Sequence, residues 1–165
     1  MNQDYIDHTP IEMLSVLEEL KARIKDKNFL HPEQYLDKDI KLLHSIAHKY
    51  YAIGEYQQSE ELFINLVIAR PAEKIFWHSL ASSRQMLENY AEALICWGIC
   101  ALLDSENPNY HIYGAECLCS INEIDSASQA LSYAKNLLKN DLQSSKKFEK
   151  VKFMIERKSD GNSKR

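Results

Sequence analysis

The sequence predicts an all-α protein assembled from repeated pairs of helices. Glycine and proline occur only four times each among 165 residues, which leaves little material for tight hairpins or phosphate-binding loops. Leu, Ala, Glu, Lys and Ile are abundant, as in mostly helical proteins. The chain also resembles itself at a step of 34 residues, which indicates stacked helix pairs of equal length.

Small and bulky residues recur at fixed places in this repeat. Where the two helices of a pair would cross, the chain has Ala47, Ala81 and Ala115. Where the next repeat would fill a gap, it has Phe63, Trp97 and Leu131. Gly54 and Asn122 suit the left-handed turn between paired helices, whereas Glu88 departs from that pattern. This arrangement is typical of the tetratricopeptide repeat, and three units follow one another without a gap.

We therefore expect a tetratricopeptide-repeat superhelix of three helix pairs over residues 40–138. The predicted helices are 40–53, 56–69, 74–87, 90–104, 108–121 and 124–138. Each pair leaves an apolar face that only a neighbour can cover, so the ends of the stack need caps. The chain offers an N-terminal segment over residues 1–39 and a capping helix with a basic tail over residues 139–165.

Both end segments carry helix signals. The capping box Thr9-Pro10-Ile11-Glu12 begins an N-terminal helix, followed by a linker over residues 26–39. The apolar face of this helix contains Met13, Leu17, Leu20 and Ile24. The capping helix is predicted over residues 142–157, with Leu142, Phe148, Val151 and Ile155 inward and Lys146, Lys147 and Lys150 outward. Residues 1–8 and 158–165 are expected to be disordered.

Charge and hydropathy exclude several classes of protein. Residues 135–165 have ten basic and four acidic residues, so this tail carries +6 and the rest of the chain −10. An acidic body argues against nucleic acid as a partner. No stretch reaches the roughly 18 apolar residues of a membrane span, which argues against membrane insertion. The N-terminus lacks a secretory signal and the four cysteines lack a disulfide framework, so we expect a cytoplasmic protein.

The first helices of the pairs would line the concave inner face, and the repeat places nine residues there. These predicted groove residues are His44, His48, Tyr51, His78, Ser82, Gln85, Ile112, Glu116 and Cys119. Rings and amides without a dominant charge suit an extended peptide. Only Lys41 and Arg84 lie nearby, so a clamp for acidic C-terminal tails is not expected.

Catalytic and metal-binding patterns are nearly absent from the sequence. It lacks the phosphate-loop, nucleophile-elbow and zinc-protease motifs. His44, His48 and His78 would supply three imidazoles to zinc, but no carboxylate stands at a spacing that would orient them. The cysteines lack a C-x-x-C knuckle. We therefore interpret the histidines as groove residues and expect no enzyme, cofactor or metal.

A second candidate surface lies on the outer face of the second repeat. Residues 93–103 are almost continuously apolar, and Ile95, Ile99 and Leu102 would face away from the core. The equivalent residues of the other repeats are mostly polar. We expect a second copy of the chain or a second client segment to cover this stripe. The alternative is that the N-terminal helix folds back over it.

Residues 40–138 resemble the class II chaperones of bacterial type III secretion, which have three such repeats. The resemblance rests on Gly114-Ala115-Glu116-Cys117-Leu118, and on the stretch from Phe76-Trp77 to Arg84-Gln85. It implies a cytoplasmic, often dimeric protein that holds an extended segment of a hydrophobic translocator in the groove before export. The family usually has tyrosine or phenylalanine where this chain has His44 and His48. A tetratricopeptide scaffold or a needle-subunit chaperone within a secretion assembly is the alternative.

Overall fold

The structure is a computed structural model that describes residues 35–139 and 141–162. The described chain contains seven helices and no strand. They are α1 (Asp37–Ala52), α2 (Tyr56–Ala69), α3 (Lys74–Met86), α4 (Tyr90–Leu103), α5 (Pro108–Ser120), α6 (Ile124–Leu137) and α7 (Leu142–Asn162). The all-α repeat architecture is therefore confirmed. None of these helices has the length and apolar character needed to cross a membrane.

The predicted helix boundaries differ from the structure at the two ends of the described chain. Helix α1 begins at Asp37, three residues before the predicted start, because the Asp39 carboxylate accepts a hydrogen bond from the N–H of Leu36. Helix α7 continues to Asn162, so the expectation of disorder was wrong for residues 158–162. The predicted N-terminal helix lies outside the described residues.

The turns inside the three pairs share one backbone geometry. Gly54, Glu88 and Asn122 have positive φ angles of 86°, 62° and 69°. In each turn the N–H of this residue donates 3.1 Å to the carbonyl three residues earlier. The 34-residue repeat thus imposes the left-handed conformation even where the residue is glutamate, for which it is strained.

The buried residues form two clusters that share α5. The first cluster joins α1 to α5, and the second joins α5, α6 and α7. The predicted small and bulky repeat positions are all buried, as expected. Phe148, Val151 and Ile155 of α7 are buried too, but Leu142 is 70% exposed and was wrongly assigned to the inward face. Since Leu142 is the first residue of α7, it lies at the edge of the stack.

Polar contacts fix the second helix pair against the first. The Arg84 guanidinium donates to the carboxylate of Glu60 at 2.8 Å and to the Cys96 sulfur at 3.3 Å. The hydroxyls of Ser59 and Ser83 form a buried hydrogen bond of 3.0 Å. Because Arg84 is committed to these contacts between helices, it does not supply a cation for an acidic ligand on the inner face.

Candidate functional site

Seven of the nine predicted groove residues lie on α1, α3 and α5 with side chains that are at least partly exposed. They are His44, His48, Tyr51, His78, Ser82, Gln85 and Glu116. The structure places them in two aromatic groups, one around His44 on α1 and one around His78 on α3, and in a chain of hydrogen bonds that links α3 to α5.

The first aromatic group begins on α1. The His44 ring lies against Phe76, Phe63 and His48, with ring centroids 5.4, 6.0 and 6.2 Å apart. Its Nε2 atom is buried and has no hydrogen-bond partner among the described residues. Burial, and to a smaller extent His48, lowers the pKa of His44. The ring is therefore neutral at pH 7 and behaves as an aromatic side chain.

On α3 the His78 ring stands at the centre of a second aromatic group. Its centroid is 5.1 Å from Trp97, 6.2 Å from Tyr110 and 6.3 Å from Tyr113. Trp97 and Tyr113 stack with their centroids 4.5 Å apart. Burial lowers the pKa of His78, and the ammonium groups of Lys147 and Lys74 lower it further. This group is therefore uncharged apart from the lysines at its edge.

Tyr51 connects the end of α1 to this arrangement. Its ring lies 5.3 Å from Tyr56, and it is near enough to Tyr113 for the two phenols to interact electrostatically. Burial, Tyr56 and Tyr113 together raise the pKa of Tyr51, so the phenol keeps its proton at pH 7. Tyr51 and Tyr113 thus present phenol rings from the first and third repeats to the same inner face.

A chain of hydrogen bonds crosses the inner face from α4 to α7. The Trp97 indole donates to Oε1 of Gln85 at 3.0 Å, and Nε2 of Gln85 donates to Glu116 at 2.8 Å. The Lys150 ammonium donates to the other carboxylate oxygen of Glu116 at 3.1 Å. Ser82 donates to the carbonyl of His78 within α3. These bonds hold the polar groove residues in fixed orientations.

Two predicted groove residues were wrongly assigned. Ile112 is 1% exposed and Cys119 is fully buried, and both belong to the core cluster of α5, α6 and α7. The reason is that α7 packs directly on α5 and covers positions that are accessible in the first two repeats. Neither side chain is available to a ligand in this structure.

Three functional candidates were missed or misplaced by sequence reasoning. Tyr113 was missed because its repeat equivalents are the small residues Ser45 and Ser79. Lys146 and Lys150 are exposed, as expected, but Lys150 also pairs with Glu116 of α5. Lys147 is only partly exposed, with its ammonium 4.7 Å from the Tyr113 ring centroid. Extending the repeat by 34 residues from Tyr113 and Glu116 of α5 leads to Lys147 and Lys150 of α7, and this step would have identified both lysines.

The thiols of the chain lie inside the helix stack. The four cysteines are free and buried, and burial raises the pKa of Cys100 and of Cys117 to about 12. They are therefore protonated thiols that pack as small apolar groups. Within residues 35–139 and 141–162, no group of three His, Cys, Asp or Glu side chains is arranged to hold a metal ion.

The outer stripe is where the sequence predicted it. Ile95 is 64% and Leu102 is 85% exposed, whereas Ile99 between them is half-buried. Both exposed residues lie on α4, on the side opposite to the buried Ala93, Trp97 and Cys100. Two large aliphatic side chains on one helix face are therefore left uncovered by the described residues.

The chain has relatives among curated proteins, although no family model matches it. It is 25% identical over 114 residues to low calcium response locus protein H of Yersinia pestis, covering 69% of this chain and 68% of the relative. The protein of the same name from Yersinia pseudotuberculosis is 27% identical over 96 residues, covering 58% of this chain and 57% of the relative.

Solved structures show the same fold. The type III secretion chaperone SycD of Yersinia enterocolitica, in complex with a peptide of the translocator YopD, matches with a TM-score of 0.69 at 23% identity, covering 78% of this chain and 98% of SycD. PcrH in complex with the chaperone binding region of PopD matches with a TM-score of 0.67 at 19% identity, covering 78% of this chain and 97% of PcrH. A chain of the CopN–Scc3 complex matches with a TM-score of 0.65 at 27% identity, covering 72% of this chain and 69% of the matched chain. The expected resemblance to type III secretion translocator chaperones is confirmed.

Proposed function

We propose that this chain is a type III secretion translocator chaperone, which binds an extended segment of a hydrophobic translocator on its inner face and keeps it soluble before export. SycD and PcrH, which share the fold, are seen with a translocator peptide and with a chaperone binding region. The observation on this chain that carries the proposal is the aromatic inner face, where His78 and Tyr113 surround the stacked ring of Trp97.

The inner face has the chemistry that an extended apolar segment needs. Neutral rings at His44, Tyr51 and His78 offer flat apolar surface to aliphatic side chains, and each such side chain that is fully buried contributes about 1.5–3 kcal/mol. Gln85 and Glu116 sit beside them as fixed polar groups. Because these groups already bond one another, they orient a ligand without large rearrangement.

We further propose that the protein acts by binding alone, in the bacterial cytoplasm. The buried thiols are protonated and too enclosed to act as nucleophiles. The histidine rings of the inner face contact other rings, and neither His44 nor His78 is paired with a carboxylate among the described residues. Both features suit a binding surface better than a catalytic site.

A second copy of the chain is the proposed occupant of the outer stripe on α4. The exposed Ile95 and Leu102 are aliphatic, whereas the equivalent positions of α6 are Gln129 and Asn136. A solved structure of SycD, which shares the fold, is an alternative dimer, so that protein pairs with itself. A homodimer built on this stripe would leave the inner face free for the client.

Co-expression of the tagged chain with its neighbouring genes, followed by pull-down and mass spectrometry, tests the proposed function. The expected partner is a protein with long apolar segments that is soluble only in the complex. Recovery of a needle subunit or of a structural secretion component would instead support the needle-chaperone or scaffold alternative.

A groove variant makes the experiment specific to the inner face. His48→Glu with Tyr51→Glu places two charges on accessible ring positions of α1 and spares the packed ring of His78. We expect at least about tenfold less client, since burying an unpaired carboxylate is strongly unfavourable. Gln57→Glu with Gln58→Glu adds the same charge to exposed positions of α2 and serves as the control. Equal client recovery by both variants would refute the groove assignment.

A further inference from the structure

Helix α7 continues the repeat beyond the third pair. Lys147 contacts Tyr113 and Lys150 contacts Glu116, and both pairs are 34 residues apart. The buried Ser144 donates to Asn109, 35 residues earlier, at 3.1 Å. Helix α7 therefore lies on α5 as the first helix of a fourth repeat would, with the same register.

This register gives α7 its own inner-face positions. Two repeat steps carry the groove residues His78, Ser82 and Gln85 onto Lys146, Lys150 and Phe153. All three of these α7 side chains are exposed, and Phe153 is 64% exposed despite being a large aromatic residue. The inner face thus extends past α5, although α7 was expected only to cap the stack.

The extended end differs from the rest of the inner face in charge. The groove residues of α1 and α3 include neutral histidines, a tyrosine, a serine and an amide. The α7 end carries Lys146, Lys147 and Lys150. Lys150 pairs with Glu116, and Lys147 interacts electrostatically with Asp141. The Lys147 ammonium contacts the ring and hydroxyl of Tyr113 and forms no direct ion pair among the described residues.

Two further contacts hold this end in place. The Lys158 ammonium donates to the carbonyls of Cys119 and Ser120 at 2.6 and 3.5 Å, at the last turn of α5. A cation at that position also complements the negative end of the helix dipole. Since Ser144 and Lys158 fasten α7 to the two ends of α5, the lysines between them have a fixed position relative to the groove.

We propose that α7 forms a cationic end of the groove, which selects client segments that carry an acidic residue beside their apolar anchors. The ligand chemistry is that of a carboxylate placed between Lys147 and Lys150, with an apolar neighbour on Phe153. This inference rests on the proposed function, because it concerns the same client segment.

The spacing of the client residues follows from the geometry of the stack. The Lys147 ammonium lies 4.7 Å from the Tyr113 ring centroid, which is 6.3 Å from the His78 ring centroid, so the ammonium is at most about 11 Å from the His78 ring. An extended chain advances about 3.3 Å per residue. The acidic residue therefore belongs about three residues away from the apolar anchor that lies on the His78 ring.

Selection from a phage-displayed library of random 12-residue peptides tests the inference on the full-length chain. We expect peptides with an apolar anchor and, about three residues away, an enriched Asp or Glu. The same selection on Lys147→Met with Lys150→Met should keep the apolar anchor and lose the acidic preference. Lys152→Met is the matched control, because Lys152 pairs with Glu149 and Glu156 of its own helix.

Affinities of one selected peptide then quantify the effect. Exchanging its acidic residue for the amide should weaken binding to the wild-type chain about fivefold, and should have no effect on the double methionine variant. Apolar peptides without acidic enrichment would refute the cationic end while leaving the proposed function intact. A library that yields no peptide dependent on Tyr51 would contradict both.

Discussion

Gln85 bonds Glu116 across the boundary between the second and third repeats, with 2.8 Å between its amide nitrogen and the carboxylate. The amide oxygen of the same side chain accepts from the indole of Trp97 at 3.0 Å. Trp97 is buried, so its N–H needs acceptors within the protein, and Gln85 supplies the oxygen acceptor while the Cys117 sulfur lies beside it. A residue predicted only to line the groove therefore also holds two repeats together.

Gln85→Ala should lower the free energy of unfolding by about 1–3 kcal/mol, because the buried indole N–H of Trp97 then keeps only the weak sulfur acceptor of Cys117. Urea unfolding followed by circular dichroism measures this change. Gln129→Ala removes an exposed glutamine from α6 and should change stability by less than about 0.5 kcal/mol. Equal stabilities for the two variants would show that the Trp97–Gln85 bond contributes nothing.

Glu88→Gly should stabilise the protein, because glycine is the residue best suited to the left-handed position that follows a helix. Glu88 has a φ of 62°, which strains a residue with a Cβ atom by about 1–2 kcal/mol. Glycine offsets part of the gain through its more flexible unfolded state, so the net gain is up to about 1 kcal/mol. Gly54→Ala, at a φ of 86°, should destabilise instead. A rise in the thermal midpoint for Gly54→Ala would contradict the argument.

The sequence predicted the repeated elements well because packing imposes the same residue size every 34 positions. Ala47, Ala81 and Ala115 are all buried at helix crossings, as their size requires. The turn at Glu88 shows the strength of that constraint, since its left-handed conformation follows the repeat rather than the propensity of glutamate. Local periodicity and global packing agree at these positions.

Predictions for the site failed where one helix depends on another for its environment. Projecting the pattern placed Ile112 on an open face, but the periodicity does not reveal that α7 covers it. Tyr113 was not predicted as a groove residue, because the first two repeats have the small residues Ser45 and Ser79 at the equivalent position. Its role depends on stacking with Trp97, which the repeat pattern does not show. The direction of a long lysine is equally unpredictable, because its flexible stem follows the partner it meets.

Acidification should weaken folding through the two half-buried histidines His44 and His78. Burial lowers the pKa of His44 and of His78 below the unfolded value of about 6.5, so the unfolded chain takes up protons first. Stability is then fully present above pH 6.5 and falls as the pH drops below it, by at most about 1.4 kcal/mol per pH unit for each proton. Client affinity should fall over the same range, since a protonated ring beside an apolar ligand is unfavourable.

Urea midpoints between about pH 7.5 and 5.5 measure this dependence. His44→Phe and His78→Phe each supply an aromatic ring without the titrating group, and the double variant should show the weakest dependence on pH. A double variant that loses stability on acidification as steeply as the wild type would assign the effect to other groups.

The outer stripe on α4 should determine whether the protein is a dimer or a monomer in solution. Ile95 and Leu102 are 64% and 85% exposed, and together with Ile99 they would bury a few hundred Å² against a second copy of the chain. At about 25 cal/mol/Å² this contributes several kcal/mol before the entropic cost of association. Ile95→Glu with Leu102→Glu should therefore shift the mass measured by light scattering from dimer to monomer, with the circular-dichroism spectrum unchanged.

The repeat provides a matched control for this experiment. Gln129→Glu with Asn136→Glu introduces the same charges at the equivalent exposed positions of α6 and should leave the mass unchanged. If the wild-type chain is already monomeric and the α4 variant loses client, the stripe binds a second client segment instead. If the α4 variant unfolds, the N-terminal segment covers the stripe within the chain and the dimer proposal is wrong. The half-buried Ile99 is left unchanged, because a charge there would disturb the helix pair as well as the interface.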